Sequence, residues 1–277
     1  MLNPSWSEIV ALALAQDIGR GDLTTDTLVA PGHQAEATLW AKQELVACGL
    51  PVMGAVFARV DPAIALEPLV QEGERVAAGS AICRITGPAR GILTGERVAL
   101  NFFQNLSAVA TVTRRYVERL EGCRARVVDT RKTTPGLGAL QKYAVRIGGG
   151  RNHRLGLDDG ILVKENHLAL AGGIRAAVER LRAGAGHLHR IEVECETLTQ
   201  VAEAVAMGVE VILLDNMDLA GLRQAVELVA GRALLEASGN VTLETVRAVA
   251  ETGVDLISVG ALTHSAGSVD VSLRIVV

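Results

Sequence analysis

RVVDTRK (126–132), ILVKE (161–165), IEVE (191–194), VILLDN (211–216), LLEASGN (234–240) and LISVGAL (256–262) begin 35, 30, 20, 23 and 22 residues apart. Each is a short apolar run of strand length that ends in polar or small residues. Between them lie helix-patterned stretches such as IRAAVERLRAG, TLTQVAEAVAMG, LAGLRQAVELVAG and TLETVRAVAETG, several ending in Gly. Near-continuous apolar strands separated by amphipathic helices indicate parallel strands buried on both faces. Six such units without a GxGxxG opening favour an incomplete α/β barrel of about six to seven strands over a doubly wound sheet, which stays as the structural alternative.

The chain before residue 93 reads differently. Short β-like runs, AEATLWA and RVAAGSAICRITG, are punctuated by Gly and Pro over residues 20–92 and predict a smaller, open α+β sandwich domain. The stretch GERVALNFFQNLSAVATVTRRYVERLEG (95–122) is helix-patterned and is expected to bridge the two domains. At the other end, SVDVSLRIVV alternates, with Val269, Val271, Leu273, Ile275 and Val277 on one side, as a half-buried strand does. The expected division is therefore 1–108 for the first domain, rejoined by a strand at 268–277, and 109–267 for the barrel. MLNPSWSEIVALALAQDIG lacks a basic n-region and Glu8 interrupts its apolar stretch, so it reads as an amphipathic helix rather than a signal peptide.

Composition narrows the function. Of 277 residues, 49% are apolar and 21% charged, which suits a packed core and not a disordered chain. Aromatics are only 3%, against 29 Gly, so the core must be built from Val, Leu, Ile and Ala. With 27 Lys+Arg against 31 Asp+Glu, bulk positive charge is not available for nucleic-acid binding. No apolar run approaches ~18 residues, so no membrane span is expected and the reading is a cytoplasmic protein. The four cysteines, Cys48, Cys83, Cys123 and Cys195, form no C-x-x-C pair, which leaves zinc and dithiol chemistry without support.

Charge is unevenly spread. Arg114–Arg154 holds eleven Lys/Arg and three Asp/Glu, a net of +8, so the rest of the chain carries −12 to reach −4. Arg114, Arg115, Arg119, Arg124 and Arg126 read as a solvated helix face. Arg131, Lys132, His153 and Arg154 fit that reading less well, because they lie beside strand ends and glycine-rich turns. Two aromatics in the block, Tyr116 and Tyr143, offer little stacking surface for nucleic acid, so a small polyanionic ligand is the better explanation.

The strand ends carry the rest of the pattern: Asp129, Thr130, Arg131 and Lys132; Lys164; Glu194; Asp215; Ser238, Gly239 and Asn240; and Gly260. Barrel enzymes build their sites at these C-terminal ends. Arg and His grip carboxylates through charge-assisted hydrogen bonds. Glu194 and Asp215 suit sugar hydroxyls or an octahedral Mg²⁺. The turns ASGN and SVGA present backbone N–H groups suited to a phosphate.

These segments resemble a known family. DTRKTTPGL (129–137), KYAVRIGGGRNHRLGLDDGILVKENH (142–167), LLDNM (213–217), EASGN and ISVGALTHS closely resemble quinolinate phosphoribosyltransferases (decarboxylating), and DIGRGDLTTD (17–26) and LTGERVALNFFQNLSAVAT (93–111) extend the likeness over nearly the whole chain. The resemblance implies an open sandwich domain followed by an incomplete barrel, working as a homodimer with shared sites. It implies that quinolinate and phosphoribosyl pyrophosphate are joined, with Mg²⁺ as cofactor, to give nicotinate mononucleotide, pyrophosphate and CO₂ for de novo NAD synthesis. By motif, Arg131, His153 and Arg154 would hold the quinolinate carboxylates, with Thr130 and Lys132 beside them. Arg97 would enter the neighbouring subunit's site. Lys132 and Lys164 would face anionic groups, and Glu194 and Asp215 the ribose hydroxyls and metal. The backbones of Ser238–Asn240 and of Val259, Gly260 and Ala261 would bind phosphate.

Departures from the family pattern are Gly138 where Arg is common, SGN for SGG, Ala108 for Gly, and Arg151 as an added cation in the glycine turn. His187 and His189 read as surface residues, and His33 and His264 as structural. Two other readings stay open: a paralogue of the same fold, nicotinate-specific or associated with molybdate transport, and a non-catalytic phosphate-ligand barrel. The presence of both His153 and Arg154 favours the dicarboxylate substrate, and Lys132, Glu194 and Asp215 favour catalysis.

Overall fold

The computed structural model describes residues 6–276. Two compact units emerge, one of residues 6–114, 133–149 and 262–276, the other of 115–132 and 150–261. The first unit opens with α1 (Trp6–Ile18) and α2 (Leu23–Leu28). It continues through β1 (Gln34–Ala41), β2 (Leu45–Val46), α3 (Leu50–Val60), β3 (Ala65–Pro68), β4 (Arg75–Val76) and β5 (Ala81–Pro88). The 31-residue α4 (Ala89–Arg119) leads out of it. β6 (Arg126–Val128) is the first strand of the second unit, and α5 (Gly138–Ile147) returns to the first. The second unit then alternates β7 (Ile161–Val163), α6 (Glu165–Ala171), α7 (Ile174–Gly184), β8 (Ile191–Cys195), α8 (Leu198–Ala206) and β9 (Val211–Asp215). After these come α9 (Leu219–Val229), β10 (Leu234–Ser238), α10 (Val246–Ala250), β11 (Leu256–Ser258), α11 (Ala261–His264) and β12 (Val271–Val276).

In the first unit an antiparallel sheet has the order β12-β1-β5-β3. On β1, Ala37, Leu39 and Ala41 are buried and their alternates are more open, the period of a half-buried strand. β12 pairs with β1 through Ala41↔Val271, Leu39↔Leu273 and Ala37↔Ile275, which puts the predicted apolar side on the same face. Val277 of that expected strand lies outside the described residues, as do residues 1–5 of the expected N-terminal helix. Within α1, Val10 and Leu14 are buried one turn apart, as an amphipathic helix requires. α4 buries Phe102, Phe103, Leu106, Val109 and Ala110. It carries Gly95 where it meets α3: an added Cβ would lie 3.1 Å from Phe57 Cδ1.

Two expectations change here. Residues 133–149 follow β6 in the chain and fall within the expected barrel span 109–267, but they pack with the first unit. Gln141 Nε2 donates to Asn105 Oδ1 (3.3 Å) and to the Thr263 carbonyl (3.2 Å), and Gly148 lies so close to α4 that a Cβ would sit 2.6 Å from the Ala110 carbonyl. Arg114 is not on a solvated face: half-buried, it donates from Nε to the Gly148 carbonyl (3.0 Å).

The six strands of the second unit form one parallel sheet in the order β6-β11-β10-β9-β8-β7. Every neighbour is the adjacent unit in the chain, with β11 beside β6, which is the cyclic order of a barrel; a doubly wound sheet reverses direction midway. β6 and β7 are not paired, so the ring stays open. At that gap Arg151 makes a parallel bridge to Val128, its N–H donating to the Val127 carbonyl (2.9 Å) and its own carbonyl accepting from Asp129 N–H (3.1 Å). Among the described residues no helix is long and apolar enough to cross a membrane.

Candidate active site

Because side chains alternate along a strand, the register of the parallel sheet decides which residues share a face. Glu194 pairs with Leu213, Leu213 with Glu236 and Glu236 with Leu256, one row across four strands. Two residues further along, Asp215 pairs with Ser238. The same face also carries Glu192, two residues before Glu194. Glu194 and Asp215 thus stand near the C-terminal ends of β8 and β9, while Glu192 and Glu236 lie deeper along β8 and β10 on the same face.

The cations stand at the opened edge. Beyond β6, Arg131 and Lys132 are exposed, and Lys132 N–H is held by the Thr130 hydroxyl (3.0 Å). Asp129, fully buried, organises the facing loop: its carboxylate accepts from Asn152 Nδ2 (2.5 Å) and from His153 N–H (2.9 Å). Arg154 is half-buried and donates from Nη1 to the Gly160 carbonyl (2.9 Å). Burial first, then the like charge of Arg131, pull the Arg154 guanidinium below its usual pKa, against the opposing influence of Glu192. Arg131 and Arg154 are therefore near enough to repel each other, an arrangement that a bound anion relieves.

At the head of β7, Lys164 Nζ meets Glu194 Oε2 at 2.5 Å, so two of the predicted residues are paired with each other. Asp215 Oδ2 accepts from Asn216 Nδ2 (2.7 Å), and Asn216 Oδ1 in turn accepts from Asn240 Nδ2 (3.3 Å). Gly239 closes this turn at φ +104°; a Cβ there would stand 2.1 Å from Asn216 Oδ1, so the position demands glycine. Asn240, the SGN variant, takes φ +50°, a left-handed conformation that Asn tolerates. Val259, expected among the phosphate-binding backbone groups, is buried, and its N–H is committed to the Val128 carbonyl (3.0 Å). That residue joins β11 to β6 in the scaffold, leaving Gly260 and Ala261 at the turn. Arg97 is exposed on α4 in the first unit. His187, His189, His33 and His264 are all exposed.

Two residues escaped the sequence reading. His153 Nε2 lies 3.0 Å from Glu192 Oε2 and 3.7 Å from Glu236 Oε1, and both carboxylates are buried. Burial, reinforced by Glu192, pushes the Glu236 carboxyl up to about 7, against the pull of His153 and the Ser258 hydroxyl. The signal was present: a Glu set between apolar neighbours inside a strand, Glu192 in IEVE and Glu236 in LLEAS. Cys195, next to Glu194 in the chain, is a poor nucleophile, since burial, reinforced by Glu203 and Glu194, raises it to about 12.

The donors also admit a divalent cation. Glu194 and Asp215 each engage one carboxylate oxygen within the protein, which leaves the other for a hard cation that takes most of its ligands from substrate and water.

An open parallel barrel whose strand ends gather arginines, lysine, carboxylates and glycine-rich turns is the architecture of an enzyme acting on a phosphorylated, anionic substrate. Residues 22–107 match the family model for the N-terminal domain of quinolinate phosphoribosyl transferase, and residues 109–274 that for its C-terminal domain. The chain belongs to this family. It is 46% identical over 266 residues to a probable nicotinate-nucleotide pyrophosphorylase (carboxylating) of Synechocystis, covering 95% of this chain and 90% of that one. The corresponding Bacillus subtilis protein is 44% identical, with coverage of 94% and 90%. The crystal structure of nicotinate-nucleotide pyrophosphorylase from Ehrlichia chaffeensis superposes with a TM-score of 0.95 at 38% identity, over 99% of this chain and 100% of that one.

Proposed function

We infer that the chain transfers phosphoribosyl from phosphoribosyl pyrophosphate to quinolinate with decarboxylation, giving nicotinate mononucleotide, pyrophosphate and CO₂ in de novo NAD biosynthesis. Family membership and the likeness to nicotinate-nucleotide pyrophosphorylases support this reading. The observation that carries the substrate choice is the half-buried Arg154 beside Arg131, a pair of like charges suited to a dicarboxylate.

In this reading Arg131 and Arg154, with Thr130, Lys132 and His153, hold the two carboxylates and aim the ring nitrogen at the anomeric carbon. Glu194 and Asp215 face the ribose, where their charge stabilises the oxocarbenium character that grows as the bond to pyrophosphate breaks. Lys164 moves from Glu194 to an anionic group of the substrate. Backbone groups of Ser238, Gly239, Asn240, Gly260 and Ala261 take the phosphate. Glu194 and Asp215, together with substrate oxygens, would hold Mg²⁺, which would supply neutralisation of the charge on the pyrophosphate. Once the nitrogen is glycosylated the ring is cationic, and the electron pair left by departing CO₂ is stabilised next to that charge until the carbon takes up a proton from water; loss of CO₂ follows transfer for this reason.

The working enzyme is a cytoplasmic homodimer in which Arg97 of each subunit completes the other's site; neither nucleic acid nor membrane takes part. Purified protein should release CO₂ and pyrophosphate in equal amounts from quinolinate, phosphoribosyl pyrophosphate and Mg²⁺. Turnover of nicotinate in place of quinolinate would instead mark a nicotinate-specific paralogue, and binding without release a non-catalytic barrel.

A further inference from the structure

Two acidic side chains inside the second unit call for an explanation beyond the ligand-facing set. Glu192 and Glu236 are 7% and 2% exposed, each flanked on its strand by buried apolar residues, Ile191 and Val193 about the first and Leu235 and Ala237 about the second. One oxygen of each, Glu192 Oε1 and Glu236 Oε1, is buried without a hydrogen-bond partner among the described residues. Buried carboxylates are costly, and leucines in their place would pack without that cost. Both converge on one group, the ring of His153.

The ring's hydrogen bonds define its tautomer. Nδ1 accepts from the Arg154 N–H at 2.7 Å, so it carries no proton. The proton is then on Nε2, which donates to Glu192 Oε2 at 3.0 Å with Glu236 beyond it. From the other side, Asp129 holds His153 N–H and the Asn152 amide. The segment 152–154 is thus pinned by β6 through Asp129 and by β8 and β10 through the two glutamates. Arg154 is the residue it delivers.

We propose that Glu192 and Glu236 are positioning residues that lock His153 as its Nε2–H tautomer, and through the His153 Nδ1 to Arg154 N–H bond set the Arg154 guanidinium for a carboxylate of the substrate. The proposal rests on the reading of Arg154 as a quinolinate-binding residue. A protonated Nε2 has no lone pair for a metal ion, so the cluster acts as a hydrogen-bonded support rather than a cation site.

The experiment uses the full-length protein in two readouts. With ¹⁵N-labelled histidine, NMR should report His153, assigned by loss of its signals in His153→Gln, as Nε2–H; Glu192→Leu should abolish that single tautomer. In kinetics, Glu192→Leu should raise the quinolinate KM at least tenfold while moving the KM for phosphoribosyl pyrophosphate less than twofold. Glu192→Gln, whose amide oxygen still accepts from Nε2–H, should recover most of the affinity, and Glu236→Leu should show a smaller shift of the same kind. An Nδ1–H tautomer in the parent protein, equal changes in both KM values, or a stoichiometric metal ion in the purified protein lost in Glu192→Leu would each overturn the proposal. If the parent protein does not turn over quinolinate at all, the functional reading fails, and the tautomer measurement still decides whether the glutamates set the ring.

Discussion

Arg154 is a side chain whose surroundings raise the cost of its own charge. It is half-buried and stands near another arginine, and a bound carboxylate would return the lost solvation. Replacing it with alanine removes one charge-assisted contact, worth about 1.5–3 kcal/mol. Arg154→Ala should accordingly raise the quinolinate KM and lower kcat/KM by roughly ten- to a hundredfold, as steady-state assays would read; near-normal kinetics would remove Arg154 from the substrate site. Glu236 makes a different prediction. Its folded carboxyl titrates near 7, against an ordinary 4.5. Between those values the folded state holds more protons than the unfolded one, so this group's stability contribution is intact below about 4.5 and is lost as pH rises through about 7. The loss is on the order of 3 kcal/mol. Glu236→Gln has no such titration, so its advantage over the parent in urea midpoint should grow from pH 5 to pH 8. An advantage independent of pH would show that Glu236 is not the titrating group.

The turn after β10 is where backbone conformation and chemistry meet. Gly239 at φ +104° lets the chain pass against Asn216, and Asn216 steadies the Asp215 carboxylate. Forcing a side chain into that space costs roughly 1–3 kcal/mol of strain and displaces the groups assigned to phosphate and ribose. Gly239→Ala should therefore lower the thermal midpoint and raise the KM for phosphoribosyl pyrophosphate at least tenfold. Gly231, also at positive φ but with open space around it, is the control: Gly231→Ala should cost stability alone. An unchanged KM for Gly239→Ala would place the phosphate elsewhere. The strands themselves needed no such device, since short apolar runs between amphipathic helices are enough to specify parallel strands buried on both faces.

For the whole molecule, the test is whether a second copy is needed. Arg97 lies on α4 in the first unit, while Lys132 stands beyond β6 in the second. If Arg97 acts in trans, Arg97→Ala and Lys132→Ala homodimers should each be nearly inactive. Mixing them with random reassortment gives about half heterodimers, each with one intact site of two, so roughly a quarter of the parental activity should return. No recovery, with subunit exchange confirmed by mass spectrometry, would place Arg97 in its own chain's machinery or in the fold.

Local pattern was enough to read the parallel strands, the long helix and the returning C-terminal strand, because each buries a face whose period is written in consecutive residues. Motifs of consecutive residues likewise made Arg131, Lys132, Arg154, Glu194 and Asp215 visible as candidates. What local pattern does not carry is the meeting of distant segments. The return of α5 to the first unit depends on Gln141 reaching Asn105 and Thr263, and the withdrawal of the Val259 N–H depends on β11 pairing with β6. The Glu192–His153–Glu236 cluster likewise joins a loop and two strands separated by about forty residues each. Hydrogen bonds and burial act across space, and sequence separation says nothing of them until the chain has folded.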